Sequence, residues 1–467
     1  MTLFTHEPGD EGLPGRERAQ AMLTVMISTT MAVFDGSMVN IALPQMAHAL
    51  QVSASDAVWV ANGYLLSAAM TLAIFAALAA RTGFRALFAA GLALFTLASL
   101  GCALSVSLPM LVTMRLLQGV GGAATLSIAP AILRSVFPHR VLGRILGINA
   151  LLIASVTALS PVLAGTLLAT LSWPWLFAIN IPLGLVALLL ALRVIPGQAN
   201  AVRGEFDIPG AVLSAMMLGA VIMTSSAFAR PEPLLHAALY GAIAAVCALA
   251  FIRRQQRAPH PLLPLTLFAS ARFTLAALTS LASFVSQGMT FVALPFLFQS
   301  VYGYSAFTAA LLFTAWPVGI ILVAPHAGRL ADRYPPAIIS TVGLGLFAAG
   351  LCLLAQMPDH PQMWDITLRG LLCGVGFGCF QSPNNREMLG NVPREQSGYA
   401  SGVLAIMRTF GQSLGTALIG VILSLTTQSA TRAQEAHAVS VGLWLAAATT
   451  LLAILFSLSR IRQSRGQ

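Results

Sequence analysis

Long apolar runs, broken by short polar segments, fill the chain from about residue 20 to about residue 460. They lie at about 20–43, 57–80, 85–106, 109–133, 143–170, 175–194, 208–229, 234–252, 272–299, 305–328, 337–357, 363–389, 398–427 and 438–459. Each has about the length a helix needs to cross ~30 Å of hydrocarbon at ~1.5 Å per residue. The pattern predicts an all-α integral membrane protein with fourteen transmembrane helices. Residues 1–19 are polar and are expected to be a tail. The run after them is too long for the apolar region of a cleaved signal peptide and lacks a convincing cleavage site, so it reads as an uncleaved first span.

The polar breaks alternate in arginine content. Twenty of the 25 basic residues, among them Arg81, Arg134, Arg203, Arg254, Arg333 and Arg394, fall on one side of the predicted bundle; Arg230 and Arg432 fall on the other. The positive-inside rule then places both termini in the cytoplasm. A bacterial inner membrane is the expected location. Parts of the chain also repeat. Leu116-Leu117 returns as Leu371-Leu372, Gly119-Val120-Gly121 as Gly374-Val375-Gly376, and Ala42-Leu43-Pro44 as Ala293-Leu294-Pro295. Ordered matches of this kind indicate a duplicated six-span unit. The expected organisation is a tail (1–19), a six-helix bundle (20–194), an inserted helix pair (195–260), a second six-helix bundle (261–460) and a tail (461–467).

Composition narrows the function. Hydrophobic residues make up 57% and charged residues 9%, against about a quarter charged in soluble domains. The net charge of +10 belongs to these scattered loop arginines, so no nucleic-acid partner is expected. The chain has no lysine, which excludes a phosphate-binding P-loop and Schiff-base chemistry. An ion gradient is the natural energy source, and no cofactor is expected. Cys102, Cys247, Cys352, Cys373 and Cys379 lie in or beside apolar runs without metal-ligand spacing, so no metal site is expected either.

Some residues contradict the apolar pattern and are therefore candidates for function. Asp35 is the one acidic residue well inside a span, where a carboxylate costs about 2.5–3.5 kcal/mol to insert. Taken out of water, a carboxyl favours its protonated form, whereas a nearby arginine favours the charged form. An acid in that balance suits a proton carrier; the alternative is a packing role. Arg115 lies about six residues into its span and Asp35 about eight from the same surface, so both sit roughly 10 Å deep and can pair. Snorkelling is the alternative for Arg115. Pro161 removes a helix hydrogen bond, and small neighbours such as Gly165 allow close helix approach. Asn40, Asn62, Tyr64, Gln287, Gln299, Gln381, Asn384, Asn385, Arg408 and Gln412 are polar residues within spans, which usually face a bundle interior. They are candidates for a substrate cavity or for helix–helix contacts. Trp59, Phe284, Phe291 and Trp316 would supply an apolar wall or face lipid.

Four stretches carry a resemblance. They are Asp35 with Val39-Asn40-Ile41-Ala42-Leu43-Pro44; Arg115-Leu116-Leu117-Gln118-Gly119-Val120-Gly121; Gly328-Arg329-Leu330-Ala331-Asp332-Arg333; and Ser160-Pro161 to Gly165 with Trp173-Pro174-Trp175-Leu176-Phe177-Ala178-Ile179-Asn180-Ile181-Pro182. Together they resemble the major facilitator superfamily in its fourteen-helix drug:proton antiporter branch. The resemblance implies proton coupling through Arg115 and a latch at Gly328, Asp332 and Arg333. The first-half copy, ending at Arg81, has alanine in place of the acid. The expectation is a proton-coupled exporter of small organic molecules such as drugs or biocides, working by alternating access as a monomer in the bilayer. Rival readings are a proton-coupled importer, a membrane-embedded enzyme or a sensor. The scattered histidines argue against an enzyme.

Overall fold

The computed structural model describes residues 3–197, 204–393, 396–426 and 431–465; Arg203, Arg394 and residues 466–467 of the expected tail lie outside them. Sixteen α-helices and no strand occur among the described residues. They are α1 (Gly15–Ala49), α2 (Ala54–Thr82), α3 (Phe84–Ala103), α4 (Leu108–Val136), α5 (His139–Thr170), α6 (Pro174–Ala178), α7 (Asn180–Val194), α8 (Ile208–Ser226), α9 (Pro233–Arg257), α10 (Ala271–Phe296), α11 (Ala306–Phe313), α12 (Ala315–Arg333), α13 (Pro336–Ala355), α14 (Met363–Gly390), α15 (Ser397–Ser424) and α16 (Arg432–Arg465).

Two of the spans are broken helices. Pro182 has no N–H for the carbonyl of Ala178, where α6 ends, and Pro317 has none for Phe313, where α11 ends. Counting α6–α7 and α11–α12 as single spans, thirteen segments among the described residues are long and apolar enough to cross a membrane. A fourteenth, α14, has the length (28 residues) but carries Asp365, Arg369, Arg386 and Glu387. It packs between α12 and α13.

In the first six spans α4 lies against α2 and α3, and α1 against α5 and α7. In the last six, α10 lies against α15 and α16, and α14 against α12 and α13. The two sets meet along a seam formed mainly by α2 with α15 and α5 with α11. Helix α8 rests on both α2 and α15. Its partner α9 packs chiefly on α8, and only 17% of its apolar window is buried.

Two details differ from the sequence pattern. Helix α1 begins at Gly15 and runs to Ala49, so it extends beyond its apolar stretch at both ends. The segment before it is folded rather than a loose tail. Leu13 N–H donates to the Val136 carbonyl (3.1 Å), Arg18 Nε to the Leu13 carbonyl (2.8 Å), and Arg140 to both Asp10 carboxylate oxygens (2.8 and 2.7 Å). Gly12, at φ +94°, is required there, because a Cβ would strike the Val136 carbonyl. The hydrogen bond from Arg140 holds the Asp10 carboxyl well below the usual carboxylate range. The second difference is at Gly328–Arg333, which is the last part of α12 and not a loop.

Candidate functional site

Five spans of the first half converge on one buried polar cluster. Asp35 on α1 accepts from Arg115 Nη1 (2.5 Å, Oδ2), Gln118 Nε2 (3.0 Å, Oδ1) and Asn180 Nδ2 (3.5 Å, Oδ1). Arg115 and Gln118 are three residues apart on α4, hence on the same face. Asn180 stands at the break between α6 and α7, where the chain already departs from regular helix. The guanidinium also donates through Nε to the Val60 carbonyl of α2 (2.8 Å) and through Nη1 to Gln118 Oε1 (2.8 Å). Gln118 Nε2 donates to Ser99 Oγ of α3 (2.8 Å).

None of these groups touches solvent. Asp35, Arg115 and Gln118 are 0% exposed, and Asn180 is 1% exposed. Arg115 does not snorkel. Its guanidinium carbon lies 4.7 Å from the centre of the Tyr64 ring and 5.5 Å from that of Phe177, so aromatic faces flank it, while its Nη2 has no hydrogen-bond partner among the described residues. Glycines make the approach possible. A Cβ at Gly119 would strike Ser67 Oγ and the Tyr64 carbonyl, and one at Gly122 would strike the Tyr64 hydroxyl. The Q-G-x-G-G run of α4 is therefore a packing requirement of this cluster.

The other sequence candidates separate into groups. Asn62 and Gln299 bridge the seam: Ser413 Oγ donates to Asn62 Oδ1 (2.7 Å), and Gln299 Nε2 to the Ile41 carbonyl (2.8 Å). Ser55 Oγ adds a bond to the Gly420 carbonyl (2.7 Å). These contacts lie in the half of the seam away from the arginine-rich face. Gly165 belongs with them, since a Cβ there would press on Ala306, Phe307 and Ala310 of α11; Pro161 is buried in α5 one turn earlier. Gln412 Nε2 donates to Gln287 Oε1 (2.9 Å), joining α15 to α10 within the second half. Asn384 is sealed between helices, donating to the Ala276 carbonyl (3.2 Å) and accepting from Arg460 (2.6 Å). Asn40, Gln381, Asn385 and Arg408 are half-buried, with no side-chain hydrogen bond among the described residues.

At the arginine-rich face Asp332 pairs with Arg386 at the end of α14. Gly328 sits against Ser382 of that helix, and Arg333 is exposed. In the first half Arg81 instead donates to the Ala77 carbonyl of its own helix (2.9 Å) and lies 5.9 Å from the Phe206 ring centre. Trp316 and Phe284 face neither lipid nor a cavity. They are buried in an aromatic core with Phe291, Phe347 and Phe377. Gln118, Ser99 and Asn180 are members of the cluster that sequence reasoning did not assign. Gln118 and Asn180 were visible as the polar positions of the two quoted motifs; Ser99 carried no signal of its own.

A protein-family model described as Major Facilitator Superfamily matches residues 25–416. The chain belongs to the major facilitator superfamily. This superfamily member is 40% identical over 98% of both chains to "Uncharacterized transporter YebQ" of Escherichia coli K12. It is 32% identical to "Tetracenomycin C resistance and export protein" of Streptomyces glaucescens, covering 90% of this chain and 78% of that one. It is 27% identical to "Riboflavin transporter RibZ" of Clostridioides difficile, covering 95% and 97%. Among solved structures, a D-xylose–proton symporter superposes with TM-score 0.67 at 16% identity over 94% and 97% of the two chains, which shows the shared fold. The protein is thus a multi-pass membrane transporter and not an enzyme.

Proposed function

We propose that this transporter exports small organic molecules, driven by inward proton flow, with Asp35 as the proton-binding group and Arg115 as its counter-ion. The arginine-rich face is then cytoplasmic, and the seam in this conformation is fastened on the outer side. The observation that carries the reading is the sealed Asp35–Arg115 pair, 2.5 Å apart and 0% exposed on both sides. Burying two opposite charges in a bundle interior carries a desolvation cost, and ionisable residues at such depth commonly mark proton or ion pathways. The carboxylate exchanges its proton only in a conformation that wets it, which couples protonation to a change of conformation.

Relatives named for tetracenomycin C export, multidrug resistance and riboflavin transport support a small organic substrate. The half-buried Asn40, Gln381, Asn385 and Arg408, on α1, α14 and α15, are the proposed substrate contacts, and Arg408 favours an anionic molecule. Antibiotic resistance on overexpression follows from the same reading. The test uses proteoliposomes with an imposed pH gradient and a panel of riboflavin, tetracenomycin C and lipophilic cations. At least one compound is expected to move against its gradient, and collapse of the pH gradient with an ionophore should abolish that movement. Uptake in the direction of proton flow would support the importer instead. Uphill movement unaffected by the ionophore would defeat proton coupling.

A further inference from the structure

The two sides of the buried ion pair are covered differently. One helical turn toward the arginine-poor face stand Val39 on α1 and Leu111 on α4, and the Phe177 ring closes on the guanidinium. Those groups are apolar. One turn toward the arginine-rich face stand Met31 on α1 and Phe95 on α3, packed with Tyr64 of α2. The hydroxyl end of Tyr64 reaches Gly122 of α4, one turn beyond Gln118 on the same side. Tyr64 therefore lies between the pair and the arginine-rich face, 5% exposed.

Its hydroxyl has no hydrogen-bond partner among the described residues, though it is buried. An unpaired buried hydroxyl costs about 1–3 kcal/mol, and such groups in native structures call for an explanation. A second one lies farther along. Ser28, 2% exposed, is two turns from Asp35 on the same face of α1, and its Oγ is likewise unpaired. Unpaired hydroxyls thus lead from the carboxyl toward the arginine-rich face, whereas among the described residues the opposite cover offers none.

We infer that Tyr64 is the gate and proton relay of Asp35, opening it to the arginine-rich face, with Ser28 next along the route. This rests on the proton-coupled reading above. In the conformation described here the Tyr64 ring closes the pair off. When Arg115 withdraws from Asp35, the Tyr64 hydroxyl takes its place as the carboxyl's partner. Release is then a concerted shift. The Asp35 O–H bond breaks, its proton goes to the Tyr64 oxygen, and the original hydroxyl proton leaves on the far side to water, either directly or through Ser28, which gives its own hydroxyl proton to water as it accepts this one. Tyr64 ends neutral, and the net change is one proton moved. The charged groups that face Tyr64 across α1 and α4 are Asp35 and Arg115 themselves.

The test needs no substrate. The purified protein in lipid is examined by infrared spectroscopy for the protonated-carboxyl band of Asp35, identified by its loss in Asp35→Asn. The rate at which that band shifts after transfer to heavy water is the readout. Tyr64→Phe keeps the ring, removes an unpaired hydroxyl and is expected to fold at least as stably; it should slow the exchange at least about tenfold. Ser28→Ala should slow it by a smaller factor, and Tyr64→Ala, which opens the cover, should speed it. Wild-type exchange in Tyr64→Phe would overturn the relay, and unchanged exchange in Tyr64→Ala would overturn the gate. If Asp35→Asn removes no band at any pH at which the protein stays folded, Asp35 binds no proton, and the coupling reading fails together with this one.

Discussion

Ser413 and Asn62 join the two halves of the molecule: the serine hydroxyl donates to the Asn62 side-chain oxygen at 2.7 Å, and both residues are buried. In this conformation the bond is sheltered. In one that opens the seam at that depth, both groups meet water and lose nothing. Asn62→Ala therefore penalises the closed form alone, by about 1–3 kcal/mol for the serine left unpaired. The population opened on the arginine-poor face should rise at least about fivefold. A cysteine placed at Val58, buried on the same seam-facing helix, should react correspondingly faster with a membrane-impermeant maleimide. An unchanged rate would show that the bond does not bias the equilibrium.

Removing one partner of the ion pair should cost more than removing both. Arg115→Leu leaves the Asp35 carboxylate uncompensated and is expected to destabilise the fold by about 3–5 kcal/mol. The double variant with Asp35→Leu should recover most of that loss. Thermal unfolding in detergent distinguishes the cases; additive losses would mean that the two residues do not act as a pair.

Glycines at equivalent places in the two halves should be intolerant in the same way. A Cβ at Gly119 would strike Ser67 and Tyr64, and one at Gly374 would strike the Trp316 carbonyl. Alanine at either position should cost about 1–3 kcal/mol by overpacking. Gly345 of α13 has nothing within contact range, so alanine there should be neutral or stabilising through helix propensity. Equal effects at all three would contradict the packing account.

The folded N-terminal segment should loosen in acid. Because Asp10 is held below its ordinary value of 3.8 by the Arg140 hydrogen bond, its contribution is complete above about that pH and is lost as the pH falls toward the lower, folded-state value. Protection of residues 4–14 against hydrogen exchange, taken relative to the intrinsic rate at each pH, should therefore be high and constant down to mildly acidic pH and fall below it. Asp10→Asn should show the reduced protection at neutral pH. A wild-type segment whose protection falls between pH 8 and 5 would point to another group.

What could be read from the sequence followed the physics of the bilayer. Hydrocarbon thickness fixes span length, so thirteen of the spans were legible from apolarity, and α14 from its length despite its charges. Insertion cost singled out Asp35 and Arg115, and their equal depth anticipated their pairing. Depth along a helix says nothing about rotation around it, however. Asn384 and Tyr64, both polar and within spans, were indistinguishable from cavity residues until the structure showed Asn384 held by Arg460 and Tyr64 lying against Arg115. The breaks at Ala178 and Phe313 were implicit in Pro182 and Pro317, but an apolar run reads as continuous across a proline. Nothing in the polarity of the first fourteen residues revealed a folded segment, because its contacts with Val136 and Arg140 span more than a hundred residues of sequence.

The central claim is that Asp35 carries the proton that drives transport. It is tested most directly by comparing wild type with Asp35→Asn in the same proteoliposomes, for a compound that the wild type moves uphill. Downhill exchange of that compound at equal pH should survive in the variant, while accumulation under a pH gradient should disappear. Full uphill accumulation by Asp35→Asn would contradict the account.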